Sequence, residues 1–155
     1  MNTQEIERKF LTKTIPFGLD KFICKNITQL YISTSPTIRI RKSDNNYYLT
    51  VKSKGHISRQ EFEIEITENE YIYLSTKADT LPLSKKRYLV PLDKNLTAEI
   101  DIYDGNLTGL ITTEVEFSTI KDAKDFVPPI WMGEDITYDK RYKNTYLSKY
   151  GIPDK

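Results

Sequence analysis

Arg59-Gln60-Glu61-Phe62-Glu63-Ile64-Glu65-Ile66 sets charges at 59, 61, 63 and 65 against Phe62, Ile64 and Ile66. Successive side chains of a strand point to opposite faces, so this stretch predicts a strand with one charged and one apolar face. The same period recurs on both sides of it. Residues 3–11 align Glu5, Glu7 and Lys9 against Ile6, Arg8 and Phe10; residues 37–42 align Arg39 and Arg41 against Ile38 and Ile40. Residues 47–54 set Thr50, Lys52 and Lys54 against Leu49 and Val51, and residues 83–90 set Lys85 and Arg87 opposite Tyr88 and Val90. Residues 96–103 carry Glu99 and Asp101, and residues 110–118 carry Glu114 and Glu116. Residues 27–34 are the least charged, with Gln29, Tyr31 and Ser33 against Leu30 and Ile32.

Turn residues separate these eight segments: Asp44-Asn45-Asn46, Gly55-His56 and Asp104-Gly105-Asn106. Short connections favour antiparallel neighbours. Eight strands are about the number that closes into a barrel wide enough for side chains or one small ligand. The expectation is a mainly β (α+β) fold, an eight-stranded antiparallel β-barrel tunnel with a charged lumen and a few covering helices. Three stretches leave the pattern. Thr67 and Glu70 form a capping box before Tyr71, Leu74 and Ala78 at helical spacing; Ser118 is placed to cap a helix carrying Ile120, Ala123 and Phe126. Asp139 precedes Tyr142, Tyr146 and Leu147, and Gly151 with Pro153 ends that last helix.

The charged faces decide which way the barrel is turned. Segments 37–42, 47–54 and 83–90 are basic, 96–103 and 110–118 acidic, 3–11 and 59–66 mixed, whereas an ordinary solvated face intersperses its signs. If the charged faces point inward, so many bases and carboxylates need charged guests, because burying them unpaired carries a large desolvation penalty. A polyanion would neutralise Arg39, Arg41, Lys52, Lys85 and Arg87, and a divalent metal would neutralise Glu5, Glu7 and Glu116. Polyphosphate with Mg²⁺ or Mn²⁺ supplies both.

The whole chain has 155 residues with 23 bases against 22 acids, so net charge predicts no DNA or membrane partner. One domain, 1–155, is expected. No run approaches the roughly 20 apolar residues of a membrane span, and the polar start offers no secretory h-region, so a cytoplasmic protein is expected. The single cysteine, Cys24, builds neither an internal disulfide nor a zinc site and reads as a small buried hydrophobe. His56 reads as a solvated loop residue. Lys140, Arg141 and Lys143 read as a solvated basic face, with reach to a tunnel mouth as the alternative, and Trp131 and Tyr142 as residues packing helices on the barrel.

Glu5-Ile6-Glu7-Arg8-Lys9 resembles the Glu-x-Glu-x-Lys signature of the CYTH, or triphosphate tunnel metalloenzyme, superfamily. The resemblance continues in order through Thr37-Ile38-Arg39-Ile40-Arg41, Leu49-Thr50-Val51-Lys52, Arg59-Gln60-Glu61-Phe62-Glu63, Lys85-Lys86-Arg87-Tyr88, Glu99-Ile100-Asp101 and Glu114-Val115-Glu116. The tail Asp135-Ile136-Thr137-Tyr138-Asp139-Lys140-Arg141-Tyr142-Lys143-Asn144 is similar to the short bacterial members. The resemblance implies an eight-stranded tunnel and metal-assisted hydrolysis of the terminal phosphate of tripolyphosphate or a nucleoside triphosphate. It implies that Glu5, Glu7 and Glu116 hold Mg²⁺ or Mn²⁺, with Glu114 beside them. Lys9, Arg39, Arg41, Lys52, Lys85 and Arg87 would clamp phosphates. Glu61 and Glu63 would hold a second metal or orient the attacking water, and Arg59 would stabilise the attacked or outgoing phosphate. Lys86 departs from the small polar residue common there, and the compact 67–80 segment leaves the tunnel less covered. Two other functions stay open: a class IV adenylyl cyclase, whose adenine pocket is not identifiable here, and a non-catalytic polyphosphate-binding module, which would gain nothing from so many carboxylates. The assembly is expected to be a monomer or homodimer.

Overall fold

The computed structural model describes residues 2–154. Its eight long strands are β1 (Asn2–Leu11), β2 (Ile23–Thr34), β3 (Thr37–Ser43), β4 (Asn46–Lys52), β5 (Ser58–Ile66), β6 (Leu83–Pro91), β7 (Thr97–Tyr103) and β8 (Ile111–Glu116). They follow the order β5-β4-β3-β2-β6-β7-β8-β1, and β1 returns to β5, so the antiparallel sheet closes into a barrel. β1 makes the closure by splitting its length: its first half pairs β5, with Glu5 opposite Arg59, and its second half pairs β8, with Glu7 opposite Glu116. A two-residue strand, β9 (Glu134–Asp135), adds to the outside of β1.

The larger hydrophobic cluster lies outside the barrel wall, and a second, of Leu83, Tyr103, Leu107, Leu110, Ile136, Tyr142 and Leu147, gathers where β6 and β7 meet the C-terminal segment. In the larger one, Ile6, Phe10, Val90, Ala98, Ile100, Val115 and Phe117 project outward from β1, β6, β7, β8 and the end of β8, and meet Ala123 and Met132. Covering comes from α2 (Ile120–Asp125) and from residues 13–22, whose Ile15, Phe17, Leu19 and Phe22 pack on the same cluster. That second cover is irregular in structure, which is why period counting did not assign it. α1 (Glu68–Ser75) starts with the expected capping box but buries none of its residues, so Val51, Phe62 and Ile64 on the outside of β4 and β5 remain exposed. Among the described residues no helix is long and apolar enough to cross a membrane.

Several local expectations are corrected. β4 stops at Lys52, so Lys54 sits beyond the strand and is exposed. α2 is capped by the Thr119 side chain, which accepts from Asp122 N at 3.0 Å, and not by Ser118. The last helix divides: Asp139 caps a 3-10 turn over Lys140–Tyr142, and α3 (Asn144–Tyr150) follows. Cys24 is exposed because β2 begins at Ile23 and carries it past the covering elements.

Candidate functional site

Every lumen-facing residue named above owes its direction to strand alternation, and closure brings the faces together. They surround a cavity of about 340 Å³ bordered by Glu5, Glu7, Lys9, Arg39, Arg41, Lys52, Arg59, Glu61, Glu63, Arg87, Glu99, Glu114 and Glu116. Carboxylate oxygens of Glu5, Glu7 and Glu116 lie within 4.8 Å of one another. Such a set of hard oxygen donors suits a divalent cation of the Mg²⁺ type. Electrostatics agrees with that fit. Burial, then Glu114 and Glu5, push the Glu7 carboxyl well above its ordinary range. Burial and the facing Glu99, Glu5, Glu114 and Glu61 push Glu116 up to about 7. Like-charged carboxylates that raise one another's proton affinity are groups a divalent cation would relieve.

The bases are already engaged with acids. Lys52 Nζ lies 3.0 Å from Glu5 and 3.3 Å from Glu61, and Arg59 Nε lies 3.4 Å from Glu5. Burial opposes ionisation of Glu5, but Lys52 and Arg59 outweigh it and hold its carboxyl below the usual range. Lys9 Nζ sits 3.6 Å from Glu114 and donates to the carbonyl of Tyr142 at 2.6 Å. Arg39 reaches Glu63 at 3.5 Å and donates to Thr50 Oγ1 at 3.1 Å. Arg87 grips Asp101 through two hydrogen bonds of 2.8 and 2.9 Å. Burial resists the charge of Glu114, yet Lys9, Arg87 and Lys85 hold it ionised far into acid.

Lys85 is placed differently from the other bases. It is 1% exposed and does not border the cavity; its ammonium lies 2.7 Å from Asp101 and 5.4 Å from the centre of the Tyr103 ring. The approach to Asp101 makes an ion pair without a directed hydrogen bond. Burial lowers the ammonium to about 7 against the pull of Asp101. Arg41 stands apart in another way: burial, with Arg39 and Arg87 as like-charged neighbours, lowers it to about 10, and its hydrogen bonds go to the neutral Gln29.

One end of the lumen is walled by the C-terminal segment. Ile136, Thr137, Asp139, Tyr142, Lys143, Asn144 and Thr145 line it together with Gly55 and His56. Tyr142 therefore borders the lumen as well as packing, and Lys143 turns inward to the Gly55 carbonyl instead of joining a solvated face. Burial and the cations Arg59, Lys9 and Lys52 lower the Lys143 ammonium, with Glu7 opposing. His56 is exposed at the cavity rim, beside Tyr138. Tyr31 and Tyr48 complete the wall, and the fully buried Gln29 lies against Arg41 and Tyr31 without bordering the cavity. Alternation put Gln29 and Tyr31 on the inner face, but uncharged side chains carried no signal of use.

A family model, described as the CYTH domain, matches residues 3–137. The chain belongs to the CYTH family. It is 39% identical over 147 residues to an inorganic triphosphatase of Nitrosomonas europaea, covering 93% of this chain and 96% of that one. It is 32% identical over 152 residues to an inorganic triphosphatase of Acetivibrio thermocellus, covering 94% of each. A solved inorganic triphosphatase structure superposes with a TM-score of 0.69 at 35% identity over 93% of each chain. A putative adenylyl cyclase from Hippeastrum, described as having a dominant triphosphatase activity, shares the fold with a TM-score of 0.59 at 17% identity, covering 77% of this chain and 82% of that one.

Proposed function

We propose that this CYTH protein is a divalent-metal-dependent triphosphatase that releases the terminal phosphate of inorganic tripolyphosphate or, secondarily, of a nucleoside triphosphate. The observation that carries the proposal is the convergence of three carboxylates within 4.8 Å of one another on a cavity whose other walls are lysine and arginine. Carboxylates repel a polyphosphate unless a cation intervenes, and a simple polyanion receptor would lack them. Glu5, Glu7 and Glu116 hold Mg²⁺ or Mn²⁺, with Glu114 beside them. When bound, the metal supplies charge neutralisation on phosphate oxygens.

The chain's own groups do the rest. Lys9, Arg39, Arg41, Lys52 and Arg87 hold the phosphates in line, the guanidinium forks taking paired oxygens. Lys85 adds positive potential from its buried place inside the barrel, beside the cavity. Arg59 lies against Glu5 and steadies charge on the attacked or departing phosphate. Glu61, whose carboxyl burial raises, orients the attacking water and accepts its proton, with Glu63 as its neighbour on β5. Water oxygen bonds to the terminal phosphorus as the bond to the bridging oxygen breaks, leaving orthophosphate and the shortened polyphosphate. Most of the rate comes from positioning and preorganised charge.

The likeness to inorganic triphosphatases over nearly the whole chain supports hydrolysis over cyclisation. The working unit is residues 1–155, acting in the cytoplasm as a monomer or homodimer. A panel of tripolyphosphate, ATP and GTP with Mg²⁺ or Mn²⁺ tests this. Orthophosphate release that stops in excess EDTA is expected. Pyrophosphate with cyclic AMP from ATP would mark a cyclase, and tight binding without turnover a binding module.

A further inference from the structure

Of the seven bases assigned to the phosphate site, six have a carboxylate within 4.0 Å, and Arg41 has none among the described residues. In its place, Arg41 Nε and Nη2 both donate to Gln29 Oε1, at 3.2 and 3.1 Å. Gln29 is fully buried on β2, directly across the ladder from Arg41 on β3. Arginine offers only donors, so the amide oxygen must face it; the amide nitrogen then turns to Tyr31, where it donates to the hydroxyl at 2.8 Å. This second bond locks the amide, and the amide locks the guanidinium.

We infer that Gln29 is a positioning residue that holds Arg41 aimed and electrically unspent, so that, among the bases proposed to clamp phosphate, this arginine is the one kept free of a carboxylate for the incoming polyphosphate. The inference rests on the triphosphate reading and adds a residue to it. Glutamate would fill the same space and accept the same two hydrogen bonds, but its charge would neutralise Arg41 before substrate arrived, as happens to the other six bases. A phosphate competing for Lys52 or Arg87 must displace a carboxylate; a phosphate meeting Arg41 displaces nothing charged. An amide at this one position keeps positive potential on a phosphate clamp whose fellow clamps are compensated by carboxylates.

The test is a comparison of wild type with Gln29→Glu and Gln29→Met. Tripolyphosphate is titrated calorimetrically in metal-free buffer, ligand-free melting temperatures are recorded, and KM and kcat are measured with Mg²⁺. Gln29→Glu is expected to melt at or above the wild-type temperature, because it gains an ion pair. It should bind tripolyphosphate about ten- to hundredfold more weakly, the range a hydrogen-bonded charge commands, and raise KM far more than it lowers kcat. Gln29→Met, which leaves the guanidinium unheld, should also bind more weakly but melt lower. Wild-type affinity in Gln29→Glu would overturn the inference while leaving the triphosphatase reading standing. Parallel losses of melting temperature, kcat and affinity in Gln29→Glu would reduce Gln29 to a packing residue. Failure of the wild type itself to bind tripolyphosphate would overturn both.

Discussion

Asp101→Asn isolates the ion pairs buried inside the barrel beside the cavity. Asp101 has no solvent exposure and receives three contacts from bases: Lys85 at 2.7 Å and Arg87 at 2.8 and 2.9 Å. The amide keeps the shape but removes the charge, and it presents an NH₂ to groups that are themselves donors. Removing one partner of a buried pair costs about 3–5 kcal/mol. Arg87 retains Glu99 at 3.6 Å, so the lower end of that range applies to it, whereas Lys85 has no second carboxylate among the ion pairs of the described residues. A loss of about 3 kcal/mol corresponds to a fall in melting temperature of roughly 6–12 °C for a domain of this size. Calorimetric melting in metal-free buffer below pH 7, where Lys85 is still charged, measures it. Tripolyphosphate should recover part of the deficit, because the released Arg87 then gains an anion. A variant that melts within about 2 °C of wild type would refute the reasoning, since that is the shift of well under 1 kcal/mol expected of an exposed surface change.

Glu7→Gln and Glu116→Gln should each abolish metal-dependent phosphate release yet melt no lower than wild type without metal, because each removes a carboxylate that repels its neighbours; a folded Glu7→Gln enzyme with wild-type turnover would dismiss the assigned metal site. The metal-free protein should show a stability minimum near pH 7 in urea titrations across pH. Glu7 and Glu116 have folded pKa values raised above the unfolded one, so their contribution is lost as pH rises from about 4.5 towards 7. Lys85 has a folded pKa lowered to about 7, so its penalty lifts as pH climbs from 7 towards 10.5. Divalent metal should flatten the acid limb, and an unchanged limb in saturating metal would contradict the assignment of Glu7 and Glu116. Gly55→Ala should cost about 1–3 kcal/mol and loosen the C-terminal wall, because φ is +150° and a Cβ would lie 2.2 Å from the Ser58 carbonyl oxygen. Faster hydrogen exchange in residues 136–145 is the expected signature, and unchanged exchange would detach Lys143 from the Gly55 turn.

Much of the site was legible because a strand has a period of two. Once Glu5 faces inward so do Glu7 and Lys9, and the same holds for Arg39 with Arg41 and for Glu61 with Glu63. The method failed where a segment lacks a period, as in residues 13–22, or where a strand ends earlier than its pattern, as at Lys54. Surroundings that come from elsewhere in the chain also escaped it, as at Cys24, which is exposed, and at Lys143, which reaches the lumen rim and joins no solvated face.

The sequence by itself determined which faces carry charge and that eight strands form the barrel, because alternation and turn residues act over a few neighbours. Only the tertiary structure decided who meets whom. Glu7 lies opposite Glu116 because β1 leaves β5 for β8 halfway along its length. Lys85 is withdrawn from the lumen because its register sets it beside Tyr103. Arg41 faces an amide where its fellow bases face carboxylates, through a pairing of β2 with β3. Charge is a property of a residue, but compensation is a property of contacts made across strands far apart in the chain, and those exist only once the barrel has closed.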